Sequence, residues 1–250
     1  MLRSSKELMG YELAAKDGSI GKVKDFLFDE AHWTIRWMVA DTGRWLPGRK
    51  VLVSPVSLGV PDWGSRLLPV RLTKAEIENA PALDADAPVS RTYEKKWFDR
   101  YGWSCYWGGV GVWGGAVYPA ELSTRGEKRA EVPETPEDEG NALRSVREVA
   151  DYAAKARDGD IGHVEEFVME DNSWIIRYMV VDTRNWMPGR KVLVSPEWID
   201  SVKWPERRVA LGLSRESVKH SPEYDPRQPV NREYEKRLYD YYGRPVYWTE

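Results

Sequence analysis

One cysteine, Cys105, occurs in 250 residues. A single thiol excludes an internal disulfide and any cysteine-built metal cage. Phenylalanine is scarce as well, with four residues against thirteen Trp and thirteen Tyr. Trp and Tyr carry a polar tip on a large apolar body, so this balance favours half-buried positions and interfaces. There is no surplus of positive charge: 37 Lys and Arg face 40 Asp and Glu, for a net charge of -3. That balance argues against nucleic acid as a partner, because phosphate-backbone binding needs an excess of cations. Residues 101–120 carry no charge, over the length of a membrane span, but six of them are Gly and none is Leu, Ile or Phe. Such a stretch reads as a packed Gly/aromatic loop rather than a spanning helix. Residues 1–7 show no apolar run after their charges, so a signal peptide is not expected.

What the chain does have is a duplication. The stretch Asp41-Thr42-Gly43-Arg44-Trp45-Leu46-Pro47-Gly48-Arg49-Lys50-Val51-Leu52-Val53-Ser54-Pro55 returns at residues 182–196, with twelve of fifteen positions identical. Residues 4–109 align with 145–250 without a gap. A period of 141 residues is far too long for a solenoid and means two whole domains. The boundaries read from composition are a first domain at 1–118, a charged, Pro-bearing linker at 119–143 and a second domain at 144–250.

Each copy is punctuated like a small β domain. Asp17-Gly18 and Asp158-Gly159 are turn pairs, because Gly accepts positive φ and Asp caps the turn. Gly21 and Gly162 follow just inside the next strand, where a bulge or sharp bend is expected. Residues 23–28, 33–40, 50–53 and 66–72 read as short strands. Thr73 with Glu76 has capping-box spacing for a short helix, whereas Ser214 with Ser217 predicts only half of that box. Pro81 and Pro222 stop these helices. Aromatic-rich tails follow, repeating Tyr93-Glu94-Lys95 as Tyr234-Glu235-Lys236 and Tyr106-Trp107 as Tyr247-Trp248. The predicted fold is therefore mainly β: two tandem small barrels of about six strands, each followed by a short helix and an aromatic tail.

The pattern Asp-Gly-x-Ile-Gly-x-Val, an acidic turn, the strand Ile35-Arg36-Trp37-Met38-Val39 and the Val-Leu-Val-Ser-Pro close resembles the PRC-barrel family, the β module of the photosynthetic reaction-centre H subunit and of a ribosome-maturation factor. The resemblance covers roughly residues 5–78 and 146–219. It implies a six-stranded barrel without a catalytic centre or cofactor, serving in assembly on a membrane complex or a ribosomal protein. The membrane helix of the one and the extra domain of the other are not matched here, so neither specific role carries over.

The candidate contact residues lie in the repeated loop: Trp45, Arg49 and Lys50, with Trp186, Arg190 and Lys191. Pro-Gly sets a type II turn that places an indole beside two cations, which suits an anionic or aromatic partner. The plainer reading is an indole lying over the end of the barrel with solvated cations. Asp17, Gly18, Gly21, Asp158, Gly159 and Gly162 are read as structural turn residues. The histidines, His32, His163 and His220, have Ser173, Lys22 and Asn79 as counterparts, so no histidine is shared between copies. Zincin, nucleophile-elbow and P-loop patterns are all absent, so neither an enzyme nor a metal site is expected. The reading is a non-enzymatic scaffold with a protein partner, cytoplasmic and peripheral at an inner-membrane complex, its two barrels packed on each other. The alternatives are a sensory module holding a small ligand or ion between the barrels, and a ribosome-maturation-like RNA or ribosomal-protein binder.

Overall fold

The computed structural model describes residues 1–124, 143–183 and 190–248. The chain begins with strand β1 (Leu2–Ser4), helix α1 (Ser5–Leu8), β2 (Glu12–Ala15), β3 (Gly18–Asp29), β4 (Thr34–Asp41) and β5 (Val51–Val53). A 3₁₀ turn at Pro55–Ser57 leads to β6 (Leu67–Pro69), α2 (Lys74–Glu78) and α3 (Arg91–Tyr101), and Pro119–Ser123 forms another 3₁₀ turn. The second copy runs β7 (Leu143–Ser145), α4 (Val146–Val149), β8 (Ala153–Ala156), β9 (Gly159–Glu170), β10 (Ile176–Asp182) and β11 (Lys191–Val194). It continues through a turn at Pro196–Trp198 to β12 (Ile199–Lys203), β13 (Arg208–Leu211), α5 (Arg215–His220) and α6 (Arg232–Tyr242).

Two compact units result, and they do not follow the two copies at every point. The N-terminal unit comprises Leu8–Ser145 and Asn172–Ile175; the C-terminal unit comprises Met1–Glu7, Val146–Asp171 and Ile176–Glu250. The N-terminal sheet is ordered β5-β4-β3-β2-β6, with β7 also on β3. The C-terminal sheet is ordered β11-β10-β9-β8-β13-β12, with β1 also on β9. β6 joins β2 in parallel and β13 joins β8 in parallel; the other ladders are antiparallel. The fold is mainly β, but the paths end at β5 and β6, and at β11 and β12. The closed six-stranded barrel expected from the sequence is thus replaced by two open mixed sheets, of six and seven strands.

β3 and β9 can run twelve residues because each bends at a glycine. Gly21 (φ 124°) and Gly162 (φ 145°) lie beside register shifts in the β2–β3 and β8–β9 ladders. A Cβ at either place would collide with the carbonyl of Asp41 or Asp182, so the close approach of β4 or β10 requires glycine there. Asp17 and Asp158 cap the first backbone N–H of α2 and α5, at Lys74 and Arg215, each at 2.7 Å.

One local expectation needs correction. The Ser214 box is complete: Ser217 N donates to Ser214 Oγ and Ser214 N to Ser217 Oγ, both at 3.1 Å, so a hydroxyl replaces the usual carboxylate. The aromatic tails carry helices of their own. α3 and α6 are eleven-residue helices, started by Ser90 and Asn231 and closed by Gly102 and Gly243 in the left-handed region. Their apolar faces cover the sheets. Trp97 meets Trp37 edge-on at 4.8 Å in the N-terminal unit, and Tyr239 meets Trp198 at 5.2 Å in the C-terminal unit.

Candidate functional site

Each unit buries one glutamate where its long tail helix meets its sheet. In the N-terminal unit, α3 carries Glu94 inward beside Trp97 and Phe98, and none of its surface reaches solvent. The carboxylate accepts from Trp37 Nε1 at 2.7 Å, from Tyr106 Oη at 3.0 and 3.2 Å, and from Arg91 at 3.1 Å. Burial nevertheless raises its pKa to about 7, against the pull of Arg91 and of the two hydrogen-bond donors. In the C-terminal unit, Glu235 of α6 accepts from Tyr178 Oη and Tyr247 Oη, each at 2.7 Å, and pairs with Arg232 at 3.0 Å. Tyr106 and Tyr247 stand at equivalent places in the two tails, so each glutamate fastens its own tail back onto its own unit.

A second pair of equivalent residues lies beneath the tails. Arg36 of β4 donates to Asp29 Oδ2 at 2.6 Å, and its guanidinium lies 3.9 Å from the Tyr106 ring and 4.6 Å from the Trp113 ring. It also donates to the carbonyl of Val112. Arg177 of β10 pairs with Glu170 at 3.1 Å and lies 3.9 Å from the Tyr247 ring.

The Gly/Trp stretch is a base with an exposed tip. Trp113 is fully buried and its Nε1 donates to the Ser173 carbonyl at 2.7 Å. Cys105, Tyr106, Ala116 and Leu122 are buried with it. Burial pushes the Cys105 thiol up to about 11, which leaves it protonated and inert. Beyond this base, Val110 is 89% and Val117 66% exposed, with Tyr118 also at the surface.

The repeated loop is largely engaged with its own unit. Arg49 donates to the carbonyls of Glu78 and Ala80, at 2.9 and 3.1 Å, and so ties the loop to the end of α2. Lys50 Nζ donates to the Ala87 carbonyl at 2.5 Å. Trp45 is half-buried, with Lys74 Nζ 5.0 Å from its ring centre. Arg190 donates to the Ser221 carbonyl, and Lys191 pairs with Glu165. Trp186 lies outside the described residues. The loop is therefore anchored through Arg49 and Lys50 to carbonyls of the N-terminal unit, with Trp45 half-buried beside Lys74.

A cleft of about 800 Å³ in the C-terminal unit is lined by Lys191, Tyr224, Arg227, Asn231, Tyr234 and Arg237, among others. Arg227 within it is paired with Asp225 at 2.9 Å. Among the described residues no group of three or more His, Cys, Asp or Glu is arranged to hold a metal, and no helix is long and apolar enough to cross a membrane.

The glutamates were missed as sites in the sequence, although the signal was present. Tyr-Glu-Lys repeats at 93–95 and 234–236, and Glu94 shares a helical face with Trp97 and Phe98. An acid on an aromatic face must find donors. Compared with known proteins, the chain matches no family model and no curated protein.

Proposed function

We propose that the chain is a non-catalytic tandem β scaffold of PRC-barrel type, which docks on a protein complex through the Gly/Val tip of its first tail. The tip carries the reading: two highly exposed valines stand on a base held by buried Trp113 and Arg36. Apolar side chains raised on an ordered base suit a partner that covers them. A protein partner is favoured over bare lipid, because residues 101–120 hold no Lys or Arg to draw the tip to an anionic surface. Trp45 is the second contact candidate, with its neighbours Arg49 and Lys50 orienting the loop. Trp186, Arg190 and Lys191 are the same candidates in the second copy. The PRC-barrel assignment rests on the repeated motifs, and a cytoplasmic place beside a membrane complex belongs to this proposal. Any tie to photosynthetic electron transport is analogy alone.

The test is capture by crosslinking in native cells. Val110→Asp together with Val117→Asp is expected to abolish capture of the protein partner while leaving the thermal melt unchanged. Undiminished capture would refute the tip as the docking element. The ligand-sensing alternative puts its site between the barrels, whereas the cleft lies within the C-terminal unit; a small molecule retained through purification would be its sign. Steeply salt-dependent RNA binding would instead favour the ribosome-maturation-like reading.

A further inference from the structure

The tripeptide Leu-Arg-Ser occurs at residues 2–4 and again, 141 residues on, at 143–145. Both copies form strands, and each completes the sheet built by the other repeat. β1 pairs with β9 through Leu2↔Glu170, Arg3↔Met169 and Ser4↔Val168. β7 pairs with β3 through Leu143↔Asp29, Arg144↔Phe28 and Ser145↔Leu27. These registers are equivalent, position for position, at the 141-residue offset.

The side-chain contacts are duplicated in the same way. Ser145 Oγ donates to Asp25 at 2.5 Å, and Ser4 Oγ donates to Glu166. Arg144 pairs with Glu30 at 2.9 Å, and Arg3 lies 3.7 Å from Asp171. Ser5 adds a further contact, its Oγ accepting from Phe167 N at 3.2 Å. Donor strand and acceptor edge thus carry the same chemistry twice: a serine meets one acid and an arginine meets a second. Nothing in the three donor residues distinguishes one acceptor edge from the other. An edge that accepts a strand by main-chain ladder and two side-chain pairs will accept that strand from any chain that supplies it.

We propose that these two edges are a self-association surface whose partner is a second copy of this chain. In that assembly the Leu-Arg-Ser strands of one chain occupy the β3 and β9 edges of the other, with the same residue pairs as in the single chain.

Charge reversal tests this on the full-length protein. One chain carries Arg3→Glu and Arg144→Glu, so that its donors oppose its own acids. The other carries Glu30→Arg and Asp171→Arg, so that its acceptors oppose its own arginines. Each chain alone is expected to be monomeric with a lowered melting temperature. Unfolded together and refolded as an equimolar mixture, they are expected to form a 1:1 heterodimer of twice the mass by native mass spectrometry, with the melting temperature recovered. A chain carrying all four changes restores the pairs both within itself and between copies, and is expected to match the unmodified protein in mass and in melting temperature. If that chain folds and the mixture remains monomeric, exchange between copies is refuted. If the four-fold variant fails to recover its melt, the pairs do not hold the strands and the proposal falls as well.

Discussion

Arg36 and Arg177 occupy equivalent positions in β4 and β10, and each neutralises an acid seven residues earlier. Their surroundings differ. Arg177 lies under one ring, Tyr247, and its side chain keeps 21% of its surface exposed. Arg36 lies under Tyr106 and Trp113, donates to the Val112 carbonyl, and keeps 1%. The added cover comes from the Gly/Trp stretch of the first tail, through Val112 and Trp113. Under the Gly/Trp stretch one of two equivalent ion pairs is buried, while the other stays partly exposed. The tip of the stretch is left outside, carrying apolar side chains.

The largest expected effect follows from that difference in burial. Arg36→Ala strands Asp29 among buried groups and is expected to cost about 3–5 kcal/mol in denaturant unfolding. Arg177→Ala removes a partly solvated pair and is expected to cost about 1 kcal/mol. Equal costs would mean that the Gly/Trp stretch does not seal the site. Next in size is the pH dependence of the N-terminal unit. Folded Glu94 holds its proton up to about pH 7, whereas unfolded Glu94 releases it near 4.5. Between these values the folded chain binds more protons, so stability falls as pH rises through the window and is level above it. The fall amounts to up to about 3 kcal/mol. Glu94→Gln is expected to remove this slope from the plot of melting temperature against pH; an unchanged slope would place its origin elsewhere.

Smaller effects sharpen the same comparison. Trp113→Phe keeps most of the ring area but removes the Nε1–H···O=C hydrogen bond to Ser173, at an expected cost of about 1 kcal/mol. Thr73→Ala and Ser214→Ala remove the equivalent caps of α2 and α5 and are each expected to cost about 1 kcal/mol. A clearly larger loss at Thr73 would show that its carboxylate partner, Glu76, strengthens the box beyond the Ser214–Ser217 pair.

The duplication, the turn glycines and most strands were legible in the sequence because they depend on local chemistry. Gly21 and Gly162 are dictated by the close approach of the next strand. Val51–Val53 is short, apolar and bounded by Ser54-Pro55, as a strand should be. The tail helices were also encoded, by Ser90 with Gly102 and Asn231 with Gly243, but their dense aromatic residues drew attention to packing instead of period. The strand exchange was not legible. Three residues of Leu-Arg-Ser specify a strand and its side-chain pairs, and do not say which of two equivalent sheets receives it. The buried glutamates were hidden for a related reason. Their donors, Trp37 and Tyr106 or Tyr178 and Tyr247, come from distant parts of the chain and meet only after the helix docks. Lys50 and Arg49 looked available in sequence because the carbonyls that engage them belong to loops whose course a sequence does not give.

The most direct measurement uses a photo-crosslinking amino acid placed at Val110, with a second chain labelled at Tyr241, an exposed control in the C-terminal unit. After irradiation in native cells, the chain labelled at position 110 is expected to yield one dominant protein adduct and the chain labelled at 241 none. Adducts of equal yield from both positions, or none from position 110, would contradict docking through the tip.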